Sequence, residues 1–233
     1  MNCLHLIASD YRRYRATGSA HFLVIVLATQ GFWASSVYRV SHALLRIRFR
    51  PLRLVFFVLA KIAQKLSEIV TAISLPPDCE IGEGLYIGHF GPLVISSQAR
   101  LGRHCNLSQS VVIGVAGRGA RRGAPVIGNR VYVGPHAVIV GAIEIGDDVA
   151  IGAGAIVTKS VAARSVVVGN PARVISQRGS FDFVSYPQME NDPERRASLE
   201  TATNEASVET SGAQDATSPE TQKNYDETQP SFL

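Results

Sequence analysis

The apolar positions of this chain follow three different rules along its length. Between residues 20 and 73 they are spaced by fours and threes, as in Val55, Leu59, Ile62, Leu66, Ile69 and Ile73, which is the period of one helix face. Pro51 breaks this region, and Pro76-Pro77 are expected to end it. From Leu75 the period becomes six: Leu75, Ile81, Ile87, then Ile95, Leu101, Leu107, Ile113, then Ile127, Val133, Ile139, Ile145, Ile151 and Val157. Beyond residue 187 no period survives.

A period of six is neither the two of a strand nor the 3.6 of a helix. It reads as one short strand and one tight turn per unit, with the aliphatic residue pointing inward. Small or apolar side chains four positions later (Val131, Ala137, Ile143, Val149, Ala155, Val161) mark a second inward position. Three units close a triangular coil, and successive coils stack as parallel strands ~4.8 Å apart. Two steps break the count. Ile87 to Ile95 is eight residues, and the extra pair lies in the turn of His89, within "LYIGHFGPLVIS"; Ile113 to Ile127 is fourteen, and the excess of eight lies within "VAGRGARRGAP". Insertions in a solenoid are where function usually projects.

With both insertions and the closing "VVVGNPARV", the section from Leu75 to Arg173 resembles the hexapeptide-repeat acyltransferases, specifically the serine O-acetyltransferases and the related O-acetyltransferases of bacterial polysaccharide clusters. The resemblance implies a mainly β fold, a left-handed parallel β-helix. The expected organisation is a helical N-terminal region (1–74), the β-helix acyltransferase domain (75–178) and a C-terminal extension (179–233), disordered from about residue 187. The left hand is carried by the resemblance alone and runs against the usual crossover preference.

The resemblance also implies a site. Its catalytic histidine falls on His89, and an imidazole with a reference pKa near ~6.5 suits a general base that takes the proton of an acceptor hydroxyl. Acetyl-CoA is the implied co-substrate, with Pro135 and Ala153 along its groove and Lys159 and Arg173 as phosphate partners. Where serine acetyltransferases carry an aspartate before the histidine, and an arginine and a second histidine in the long loop, this chain has Gly88, Gly123 and Ala124. The expectation is therefore a saccharide hydroxyl acceptor in exopolysaccharide or envelope glycan synthesis, small or lipid-linked, met by Arg118, Arg121 and Arg122. L-serine is the alternative, and a non-catalytic β-helix scaffold is the alternative of another class. A homotrimer or a multiple of three is the implied assembly, with His89 and the long loop leaving different corners.

Composition changes the picture at both ends. Residues 187–233 hold ten Asp+Glu against three Lys+Arg, which leaves the first 186 residues with twenty Lys+Arg against nine Asp+Glu. A polar, acidic stretch buries too little to offset its ordering entropy. Between Asp10 and Glu68 there are ten Lys+Arg and no acid, with Arg46, Arg48, Arg50 and Arg53 crowding the helix break. A basic apolar helix serves either oligomer packing or a peripheral contact at the inner face of the membrane. A cytoplasmic location is expected, because no secretory leader is legible. Nothing resembles a nucleic-acid reading motif.

Three cysteines form no disulfide framework; Cys79 and Cys105 are expected inside the prism as small hydrophobes. His104 and His136 are expected to face solvent on regular turns. His89, His104 and His136 do not converge on one point within a subunit, so no metal site is expected.

Overall fold

The computed structural model describes residues 2–17, 21–46, 50–119 and 122–203. Helices α1 (Cys3–Thr17), α2 (Phe22–Ala28), α3 (Gln30–Leu45) and α4 (Arg50–Thr71) precede strands numbered β1 to β15 in chain order. Pro51 lies in the first turn of α4, where its missing N–H costs nothing. The helix does not run to Pro76. It ends at Thr71, because Ala72 turns left-handed at φ 57°, and the first strand begins at Ile73.

The ladder of sixes becomes three parallel sheets. One holds β1 (Ile73–Ser74), β4 (Leu93–Ile95), β7 (Val112–Gly114), β10 (Val138–Val140) and β13 (Ile156–Val157). The second holds β2 (Glu80–Ile81), β5 (Arg100–Leu101), β8 (Val126–Ile127) and β11 (Glu144–Ile145). The third holds β3 (Tyr86–Ile87), β6 (Asn106–Leu107), β9 (Tyr132–Val133), β12 (Ala150–Ile151) and β14 (Val166–Val168), with β15 (Arg173–Ser176) added antiparallel at its end. The register is that of the count: Ile95 pairs with Ile113, Leu101 with Ile127, and Leu107 with Val133. All are buried, so each coil adds one aliphatic layer to a continuous core.

A prism of parallel strands leaves its first coil with unpaired backbone. Side chains from α1 and α3 take the place of the missing strands. Tyr38 donates its hydroxyl to the Cys79 carbonyl (2.7 Å) and accepts from the Ile81 N–H (3.1 Å). Arg39 donates to the Ile81 and Gly82 carbonyls, Asp10 accepts from the Leu85 N–H, and Tyr14 serves both groups of Ile87. Asp10 and Arg39 also pair with each other at 2.9 Å, fully buried. The apolar stripe of α4, by contrast, does not pack on the prism and is exposed.

The C-terminal extension corrects the expectation for residues 187–203. They are held in a strap over the third sheet: Phe183 stacks on Tyr132 at 4.7 Å, and Asn106 donates to its carbonyl. A 3-10 turn at Met189–Asn191 and a helix over 193–203 follow. Arg195 is buried and donates to the Phe181 and Val184 carbonyls, while Arg130 reaches Glu194. A few anchoring side chains order a segment whose average composition argues against it. The rest of the expected disordered tail lies outside the described residues.

Candidate active site

His89 follows β3 and therefore stands at the corner where the third sheet turns into the first. Gly91, at φ 128°, gives the two-residue insertion its bend. The insertion is tied down on one side, where the Gly91 N–H donates to the Thr71 carbonyl at the end of α4 (3.4 Å). His89 and Phe90 are exposed. Among the described residues no group hydrogen-bonds the His89 imidazole.

The turns stacked above His89 on that corner are those of Gln109, Pro135 and Ala153. Backbone bonds link them upward: His136 N–H to the Gln109 carbonyl (3.1 Å), and Gly154 N–H to the Pro135 carbonyl (2.8 Å). Pro135 and Ala153 thus share one edge of the prism with His89. Gln109 was not singled out from the sequence. It lies next to the insertion, since a β-carbon on Gly91 would sit 3.5 Å from its own. The count holds the signal: from His89, one coil of eighteen plus the two inserted residues leads to 109.

Lys159 and Arg173 are brought together, but elsewhere. Both are exposed and line an open cavity of about 560 Å³ at the last coil, with Pro171 and Val174. Lys159 follows β13, on the corner between the first and second sheets, so this pair stands apart from the edge of Pro135 and Ala153.

The long loop leaves after β7, at the corner between the first and second sheets. It is closed at its base by a two-way bridge between Ala116 and Gly123, at 3.1 and 3.0 Å. Arg118 and Arg122 are exposed on it; Arg121 lies outside the described residues. His89 and the loop thus flank opposite edges of the first sheet. The outward side chains of that sheet include Val94 and Val112, 49% and 36% exposed, whereas the third sheet is covered by α1 and the strap.

His104 corrects its expectation. Rather than facing solvent, it stacks flat on Tyr186 of the strap, with ring centroids 4.1 Å apart. Burial, helped by the nearby Arg13 and Arg103, lowers its pKa to about 3 and keeps it neutral. His136 is exposed, as its turn implies. Cys79 and Cys105 point into the prism, and burial pushes their thiols up to about 12 and about 11. A thiol so held is no nucleophile. Among the described residues no group of His, Cys, Asp or Glu is placed to hold a metal ion.

Compared with known proteins, the chain matches the family described as Bacterial transferase hexapeptide (six repeats) over residues 124–159. It is 32% identical over 192 residues to the serine acetyltransferase of Synechococcus elongatus, covering 81% of this chain and 76% of that protein. With the serine acetyltransferase of Helicobacter pylori it shares 34% over 153 residues, 66% of this chain and 85% of that one. The crystal structure of serine acetyltransferase from Brucella abortus superposes with a TM-score of 0.66 at 29% identity, over 76% of this chain and 69% of that chain. The same enzyme in complex with coenzyme A gives a TM-score of 0.65 at 28% identity, over 74% and 67%.

Proposed function

The chain belongs to the serine acetyltransferase family of hexapeptide-repeat transferases, and we propose that His89 is its general base and a small hydroxyl compound its acceptor, with L-serine the first candidate. The fold is a left-handed parallel β-helix, and the activity is an acyl transfer from acetyl-CoA. Relatives named serine acetyltransferase, at 29–34% identity, put L-serine ahead of the saccharide expected from the sequence. They also shift the resemblance away from the polysaccharide branch.

In the proposed step the imidazole of His89 takes the acceptor's hydroxyl proton as that oxygen attacks the thioester carbonyl. The C–O bond forms, the C–S bond breaks, and the imidazolium returns the proton to the departing thiolate. The thioester is already activated, so no acyl-enzyme is required. The observation that carries the role is the placement of His89 in the insertion at the foot of the edge bearing Gln109, Pro135 and Ala153. CoA is proposed to lie along that edge, with the Lys159 and Arg173 pair contributing charge to phosphate only if a neighbouring subunit closes the distance. Val94 and Val112 support assembly through the first sheet, in a trimer or a multiple of three. One subunit's His89 would then face another's loop. The reaction is placed in the cytoplasm, where acetyl-CoA is available.

One observation favours a saccharide as the second reading. Gly88, Gly123 and Ala124 offer no charge to an amino acid's ammonium or carboxylate, and sites built around polar groups discriminate by up to ~10⁴. In that reading Arg118 and Arg122 face a phosphate-bearing glycan. Thiol release from acetyl-CoA, measured with L-serine and with a panel of sugars and nucleotide sugars, decides. Efficient serine turnover and rescue of a cysteine auxotroph support the first reading; serine inert and a sugar active support the second. No transfer to any hydroxyl would leave the scaffold.

A further inference from the structure

Helix α4 uses only one of its sides. It leans on α3 through Ala60, which is buried, while Val55, Leu59, Ile62, Leu66 and Ile69 are each more than half exposed. Helix α2, also against α3, leaves Leu23 and Leu27 64% and 66% exposed. An apolar surface of this extent marks an interaction site. No single described helix is long and apolar enough to cross a membrane; α2 and α3 together are, but meet at 74°.

Charge distinguishes the occupants. No acid occurs between Asp10 and Glu68. Of the ten cations there, Arg13 and Arg39 are buried in the prism's cap, and Lys65 is matched by Glu68 at 2.7 Å. Lys61 is exposed on α4, lies 5.7 Å over the Phe57 ring and has no acidic partner among the described residues, whereas Arg46, at the end of α3, lines a cleft with Glu80 and Arg100. Arg50 and Arg53 add charge at the start of α4, and Arg48 lies outside the described residues. A second copy on this face would set cations against cations. An anionic bilayer supplies both apolar depth and opposite charge. We propose that α4, with α2 beside it, docks the protein on an anionic lipid surface.

Docking has a consequence for the site. Helix α4 ends at Thr71, whose carbonyl receives the Gly91 N–H, two residues past His89. A docked α4 holds the His89 turn near the lipid, within reach of an acceptor carried there. This consequence rests on the role proposed for His89; the docking does not.

The test is sedimentation of the full chain with phosphatidylcholine vesicles, with and without roughly a third phosphatidylglycerol, at low and high salt. Binding is expected only to the anionic vesicles and is expected to weaken with salt. Lys61→Glu should lower it at least about fivefold. Ile62→Ser with Leu66→Ser should abolish it, while acetyl transfer to a water-soluble acceptor stays unchanged. Failure of the unmodified protein to bind, or equal binding to neutral vesicles, overturns the proposal. So does a loss of molecular mass by light scattering in Ile62→Ser with Leu66→Ser, which would make a second copy the occupant. Loss of acetyl transfer with docking intact would fall on the proposed function instead.

Discussion

Gly123 lies so close to Ala142 that a β-carbon on it would come within 2.8 Å of the Ala142 β-carbon. The two-way bridge to Ala116 keeps the Gly123 backbone from moving away. The arginine that the resemblance to serine acetyltransferases implies at this position would therefore require the Ala142 turn to shift. Gly88 differs: its β-carbon would meet nothing nearer than the Tyr86 ring at 3.5 Å.

Gly88→Asp is accordingly expected to fold like the parent and to raise kcat/KM for L-serine by supplying an anion for the ammonium. Gly123→Arg is expected to cost about 1–3 kcal/mol through overpacking and to recover on addition of Ala142→Gly. Thermal unfolding beside a serine assay checks both. A Gly123→Arg protein as stable as the parent would show that the close approach restricts nothing.

His89→Ala should lower acetyl transfer by about 10²–10⁴-fold and leave Tm within a degree or so of the parent. The side chain is exposed and no described group bonds it, so little stability can be lost with it. Turnover measured by thiol release is the readout, and unchanged turnover removes His89 from the mechanism.

Cys79 and Cys105 should be silent toward a chromogenic disulfide reagent at mildly alkaline pH, leaving Cys3, which is only partly buried, as the one slow thiol of the native protein. Unfolding in denaturant should release all three. More than one thiol reacting without denaturant would contradict the packing of the prism.

His104 makes stability depend on pH. Its folded pKa is lowered to about 3, so below its ordinary value near 6.5 the unfolded chain binds a proton that the folded one does not. Stability is full above that value and falls as pH drops toward 3. The slope should stay below the ~1.4 kcal/mol per pH unit of one full proton, because the ring is partly exposed. Denaturant titrations from neutral to acid pH should show this loss, and His104→Gln should flatten it; an unaltered profile would mean that the stack on Tyr186 does not hold the imidazole neutral.

The sequence by itself determined the prism and the places where it is interrupted. A stacked coil tolerates one inward aliphatic at a fixed position, so Ile95, Ile113, Ile139 and Val157 are forced into register by the count. An insertion is then visible as arithmetic, which is why His89 and the loop were legible, and why Gln109 was available to the same count. What the tertiary structure alone decided lies where no period operates. Asp10, Tyr14, Tyr38 and Arg39 cap the first coil, and Tyr186 covers His104, through hydrogen bonds and ring contacts between residues far apart in the chain. The strap and the close packing of Gly123 on Ala142 are of the same kind. Spacing encodes contacts that repeat; a single contact across the chain leaves no period, and only the folded arrangement of backbone and side chains brings it about.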